Sequence, residues 1–155
     1  RRHSFPTRRS SDLEHLKYVN FFRNKSRFIK ETGTILTQKH NGIIPNDLNW
    51  IQSFPGVGIK TAKVVLSVLY DMPYVGVDTH IHRVLNRIGI VKTKTPEETD
   101  RKIDILFDDI IKQKMHHPLV LFGRYLCIAR KPKCEICPIQ KKCAYYRAHF
   151  WWKSY

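Results

Sequence analysis

Four cysteines, the only four in the chain, fall between Cys127 and Cys143 in the pattern C-x6-C-x2-C-x5-C. Thiols packed this densely either pair as two disulfides in a secreted protein or hold a metal centre inside a cell. No leader-like apolar stretch is seen, and the charge points away from secretion. Of 155 residues, 28 are Lys or Arg and 13 are Asp or Glu, a formal net charge of +15. Such an excess predicts a polyanionic partner, nucleic acid ahead of an anionic membrane surface. A tetrathiolate zinc site commonly uses two short C-x2-4-C knuckles, and only one is present here. Spacing alone leaves zinc and iron–sulfur open.

The rest of the chain reads as helix after helix. The hydrophobic fraction of 42% suffices for a packed core and argues against wholesale disorder. No apolar run is long enough to span a bilayer. His15–Lys39 is helix-rich, with a break expected near Asn24–Ser26, and Asn41-Gly42 is a stop signal. Pro45-Asn46-Asp47 starts a short helix through Ser53. A glycine turn, Phe54-Pro55-Gly56-Val57-Gly58, leads into a helix over Ile59–Tyr70. Asp78 is positioned to cap Thr79–Ile88. Thr95-Pro96-Glu97-Glu98 has the N-cap, Pro and Glu order of a helix start. One helix is expected to run from there through Ile111, and another to begin after Pro118 and run into Cys127. Alternation at period two is nowhere sustained, so the predicted fold class is all-α.

Residues Arg1–Leu13 stand apart. The run RRHSFPTRRSSDL has no helical or strand period. It has the Arg- and Ser-rich, acid-poor composition of a targeting peptide, but His3–Leu13 more closely resembles the translation of a sequencing adapter, and the segment is set aside from fold reasoning. Four arginines and one aspartate lie in it, so the remaining 142 positions still carry +12. The chain does not open on Met; the expectation is a native start further upstream, and a fragment that is inactive or marginal.

Two residues in helix first turns carry potential chemistry. Gly56 and Gly58 let the backbone turn sharply and bring amide N–H groups to the mouth of the following helix, a natural phosphate site. Lys60 falls in that helix's first turn, where the dipole and partial burial are expected to disfavour its ammonium form. A neutral amine is what imine formation needs; a phosphate contact is the plainer role. Asp78, 18 positions on, is by pattern an N-cap.

The segments FPGVGIKTA at Phe54–Ala62, VGVDTHIHRVLNRIGI at Val75–Ile90 and GRYLCIARKPKCEIC at Gly123–Cys137 resemble the endonuclease III family of helix-hairpin-helix DNA glycosylases, in family order. The resemblance covers about His15–Cys143. It implies a helix-hairpin-helix over about residues 48–70 that grips the DNA backbone through Gly56, Val57, Gly58 and Thr61. Lys60 matches the family's Schiff-base nucleophile and Asp78 its catalytic aspartate. Cys127, Cys134, Cys137 and Cys143 would hold a [4Fe–4S] cluster, with Arg130, Lys131 and Lys133 on the first cysteine loop facing phosphates. The implied organisation is an adapter-like segment 1–13, the remainder of a helical domain at 14–77, and an iron–sulfur domain at 78–155 with its cluster loop at 127–143. The implied activity is that of a bifunctional glycosylase and abasic-site lyase of base excision repair, acting on damaged bases, usually oxidised pyrimidines, in double-stranded DNA. It would work as an intracellular monomer with no membrane partner. A monofunctional mismatch glycosylase and a non-catalytic DNA-binding module are the alternatives. The family has further helices ahead of this chain's start, and the aromatic tail Ala144–Tyr155 departs from its pattern.

Overall fold

The computed structural model describes residues 15–150, and every regular element among them is helical. The adapter-like run Arg1–Leu13 and the aromatic residues beyond Phe150 lie outside the described residues. The chain divides into two compact units at the Ala62–Lys63 junction.

In the first unit, α1 is Phe22–His40. The break expected near Asn24–Ser26 does not occur. The Ser26 hydroxyl instead donates to the Phe22 carbonyl one turn back at 2.7 Å, so this polar side chain is absorbed by the helix. Thr34 and Thr37 do the same toward Lys30 and Gly33. The interruption falls earlier, at Phe21, whose φ of 58° is left-handed. At the other end Asn41 and Gly42 both turn left-handed, with φ of 51° and 77°. The Gly42 N–H then reaches back to the Leu36 carbonyl at 2.9 Å, which satisfies a carbonyl the helix end would leave open. α1 buries none of its residues, and Ile29 is 60% exposed. The short α2, Leu48–Gln52, starts where the Asp47 carboxylate accepts from the Trp50 N–H at 2.7 Å. It buries Ile51 and sets the Trp50 ring edge-on to His40 and Phe54.

α3, Ile59–Tyr70, runs across the junction as one continuous helix. In the second unit follow α4, Thr79–Ile88, α5, Pro96–Leu106, and α6, Asp109–Leu121. A π-helical turn, Phe122–Leu126, two 3-10 turns, Cys134–Ile136 and Gln140–Lys142, and α7, Ala144–Phe150, complete it. α4 ends at Gly89, whose φ of 93° suits glycine. The core is the set Val75, Val77, Ile81, Leu85, Val91 and Ile103, with Phe107, Met115, Leu119 and Val120 packed against it. Each fully buried Leu or Ile contributes about 1.5–3 kcal/mol of transfer free energy.

Two expected boundaries are corrected here. The apolar stripe Ile103–Ile111 does not lie on one helix. Phe107 adopts φ −121°, ψ 137°, and Asp108 caps a new helix through the Ile111 N–H at 2.8 Å. The extended residue turns the Phe107 ring toward the core. Pro118 does not start a helix either; it sits inside α6. Proline removes an N–H that the last turns would otherwise use, and the helix continues as the wider π-turn into Cys127.

Candidate active site

The hairpin between α2 and α3 is built by one tight turn. The Val57 N–H donates to the Phe54 carbonyl at 3.1 Å with Pro55 and Gly56 between them. Gly56 has φ +74°, the value the third residue of a type II turn requires. A Cβ there would also overlap the Phe28 ring of α1, so glycine is demanded twice, by conformation and by packing. Gly58 differs: its φ is ordinary and a Cβ would meet open space. A bare backbone at that point leaves the approach to the α3 N-terminus clear. The first helical bond is from Ala62 N–H to Gly58 O at 3.0 Å, so the amides of this turn face out of the helix end. Gly56, Gly58, Lys60 and Thr61 are exposed and Val57 is half-buried. Lys60 is thus at the surface, not partly buried as the sequence led us to expect.

Asp78 stands at the N-terminus of α4. Its Oδ1 accepts from the His80 and Ile81 N–H groups, both at 2.9 Å. These bonds fix the carboxylate at the mouth of the helix. Lys60 belongs to the first unit and Asp78 to the second, and each is set by the helix it begins.

The four thiols gather around one cavity of the second unit, walled also by Phe122, Leu126 and Tyr145. None is in a disulfide. Burial pushes the Cys134 thiol pKa up, and the neighbouring sulfurs of Cys127, Cys143 and Cys137 push it further, while Arg87 opposes them. Four thiols lining one cavity are the donor set that an iron–sulfur cluster takes.

Two arginines of α4, one turn apart, hold this loop, and no local sequence pattern marks either. Arg83 donates to the carbonyls of Gly123 at 2.7 Å and Cys127 at 3.1 Å. Arg87 donates to the carbonyls of Ile128 and Ala129, each at 2.7 Å, and lies over the Tyr145 ring. The Cys143 thiol in turn donates to the Arg87 carbonyl at 3.3 Å. Gly123 permits the close approach: a Cβ there would stand 2.8 Å from that of His80. Arg130, Lys131 and Lys133 are exposed between the first two cysteines.

A third cation, Lys63, is likewise marked by no local pattern. Lys63 is buried on α3, and its Nζ donates to Asp100 Oδ2 at 2.7 Å and Asp104 Oδ2 at 3.1 Å. Burial opposes its ammonium form, but the bonds to both carboxylates outweigh this and raise its pKa. Burial likewise lifts the Asp100 carboxyl above its ordinary range, against the pull of Lys63.

An all-α chain with a glycine hairpin, an aspartate-capped helix and a cysteine-lined cavity defines a class. Residues 7–108 match the family model described as the HhH-GPD superfamily of base excision DNA repair proteins, and the chain belongs to that family. Residues 127–143 match the iron–sulfur binding domain of endonuclease III. The chain is 43% identical over 133 residues to endonuclease III of Rickettsia conorii, covering 86% of this chain and 63% of that protein. Against endonuclease III of Escherichia coli K12 the identity is 40% over 131 residues, 84% of this chain and 62% of that one. Among solved structures, a trapped covalent intermediate of endonuclease III with DNA superposes with a TM-score of 0.79 at 34% identity, over 88% of this chain and 66% of that one. A thermostable thymine-DNA glycosylase gives 0.80 at 25% identity, over 92% and 67%. The chain therefore spans less than two thirds of the endonuclease III proteins it matches. The cofactor of this type of chain is a [4Fe–4S] cluster, and the cavity and its four thiols fit it.

Proposed function

We propose that the chain is the catalytic portion of a DNA glycosylase with abasic-site lyase activity, acting in base excision repair on duplex DNA. The observation that carries this reading is Lys60, an exposed amine in the first turn of α3 directly behind the glycine turn. There a phosphate held by the turn's amides would bring a deoxyribose within reach of the amine. The relative trapped covalently on DNA supports the same chemistry. Gly56, Val57, Gly58 and Thr61 present the phosphate-binding backbone. Arg130, Lys131 and Lys133 add charge to the binding face.

In the proposed reaction the damaged base leaves the stack. The Lys60 Nζ lone pair forms a bond to C1′ as the C1′–N bond breaks and its electron pair departs with the base. The nitrogen gives up a proton, the ring oxygen takes the C1′–O pair as the sugar opens, and the imine results. Loss of a C2′ proton then expels the 3′ phosphate oxygen with its electrons, which nicks the strand. Asp78 accepts the amine's proton or stabilises positive charge on the sugar. Cys127, Cys134, Cys137 and Cys143 would hold the cluster, which supplies thiolate–iron bonds that fix the loop carrying the basic residues. Damaged pyrimidines are the proposed substrates, and a monomer the proposed working state.

The test is borohydride trapping on a duplex with one abasic site, with the N-terminal region of the Rickettsia conorii relative joined to the chain in place of Arg1–Leu13. The chain is expected to form a covalent adduct, and Lys60→Ala to lose it while binding DNA within about tenfold, since one charge supplies a small part of the phosphate contact. Undiminished trapping by the variant would assign the nucleophile to another amine. Absence of trapping by the unaltered chain would favour a glycosylase without the lyase step, the reading the thymine-DNA glycosylase likeness supports.

A further inference from the structure

Lys63 and Thr99 are the polar side chains buried among the described residues. Thr99 is explained by its bonds to His82 and Thr93. Lys63 needs a different account. Its side chain is 5% exposed, and two carboxylates one turn apart on α5 share its single charge. The Tyr74 ring lies 5.9 Å from the Nζ. Apolar residues in place of all three would serve stability as well, because taking charges out of water offsets most of what their attraction returns. What an ammonium held by two carboxylates adds is direction. Buried Ala62 and Leu66 seat the helix by shape alone, whereas bonds at 2.7 and 3.1 Å add a directional tie between α3 and α5.

We propose that Lys63 is a positioning residue for the amine of Lys60. The two lysines stand three positions apart on one continuous helix, on neighbouring turns of the same side. Rotation of α3 by one residue would swing the Lys60 side chain by about 100°. The Lys63–Asp100–Asp104 triad removes that freedom, and the rigid first turn presents the Lys60 Nζ in one orientation toward C1′. Lys63 touches no reacting atom and acts through the helix. The proposal rests on the lyase reading above.

Three forms of the full chain test it: Lys63→Met, Lys63→Arg, and Asp104→Asn at the more exposed partner. Trapping at saturating abasic DNA should slow about tenfold in Lys63→Met, the scale of a small misplacement of a reacting group. The affinity for that DNA should stay within about twofold, because a buried cation contacts no phosphate. Lys63→Arg should recover most of the rate. Asp104→Asn, which is the milder change should Lys63→Met fold poorly, should slow trapping about threefold, since one of two bonds weakens. Hydrogen exchange supplies a readout independent of activity: the α3 amides should lose protection in Lys63→Met while those of α7 keep theirs. Equal trapping rates in the unaltered chain and a folded Lys63→Met would overturn the proposal. So would rate and affinity falling together in Lys63→Met and Asp104→Asn, or unchanged exchange of α3. A chain that never traps, yet shows the α3 exchange difference, would sink the lyase reading and with it the link to Lys60.

Discussion

Asp78 Oδ1 accepts two backbone N–H bonds, and these alone would justify an aspartate at the start of α4. Capping and catalysis can be separated because asparagine offers the same acceptor oxygen without the charge. Asp78→Asn should keep the cap, so its melting temperature should stay within about 2 °C of the unaltered chain. Its imine formation should fall about a hundredfold or more, the usual worth of a positioned acid or base. Asp78→Ala should lose both, with about 1 kcal/mol of stability going with the cap. Thermal unfolding and borohydride trapping on the same three proteins decide the point. Equal trapping by Asp78→Asn would leave Asp78 a cap and nothing more.

Elements whose ends are fixed locally were legible in the sequence. Asp47, Asp78 and Thr95 each bond an amide two or three positions ahead, and Asn41-Gly42 closes α1 on its own carbonyl. Boundaries set by the core were not. Phe107 breaks the run from α5 to α6 with its ring packed inward, and the Asp108 cap that follows it sits inside an apolar stripe of unbroken helical period. The site divides the same way. Lys60, Asp78 and the cysteines sit in compact motifs. Lys63, Arg83 and Arg87 find their partners 37 to 44 positions away, and a sequence read by local pattern does not see across that distance. The cluster loop shows how such remote bonds matter. Purified without oxygen, the chain should carry about four irons and no stoichiometric zinc. Cys134→Ser should lose the iron, and removing the metal frees a loop otherwise held only by Arg83, Arg87 and short turns, so melting should fall. A colourless protein with one zinc would overturn the assignment.

At the scale of the whole molecule the dominant fact is the net charge of +15. Charge of that size binds any polyanion, and the informative quantity is how many phosphates are neutralised together. Each contact with duplex DNA releases counterions, so the slope of log affinity against log salt is about −0.9 per phosphate. Charge spread evenly over a surface would engage a shifting set of phosphates, and no small group of substitutions would change the slope much. Arg130, Lys131 and Lys133 instead sit on one loop, held to α4 by the carbonyl bonds of Arg83 and Arg87. On the proposed reading, the fixed loop would place these cations in register with successive phosphates. The expected slope for the unaltered chain on a short duplex is roughly −4 to −6, and replacing Arg130, Lys131 and Lys133 together by Ala should make it shallower by about 3. Melting should be unaffected, since all three side chains are exposed and bridge no buried group. The hairpin amides carry no net charge and release no counterion, so they survive in the variant as the salt-insensitive part of binding. Titrations from low to moderate salt give both slopes directly. An unchanged slope would place the loop away from the DNA and leave the hairpin end of α3 as the principal contact.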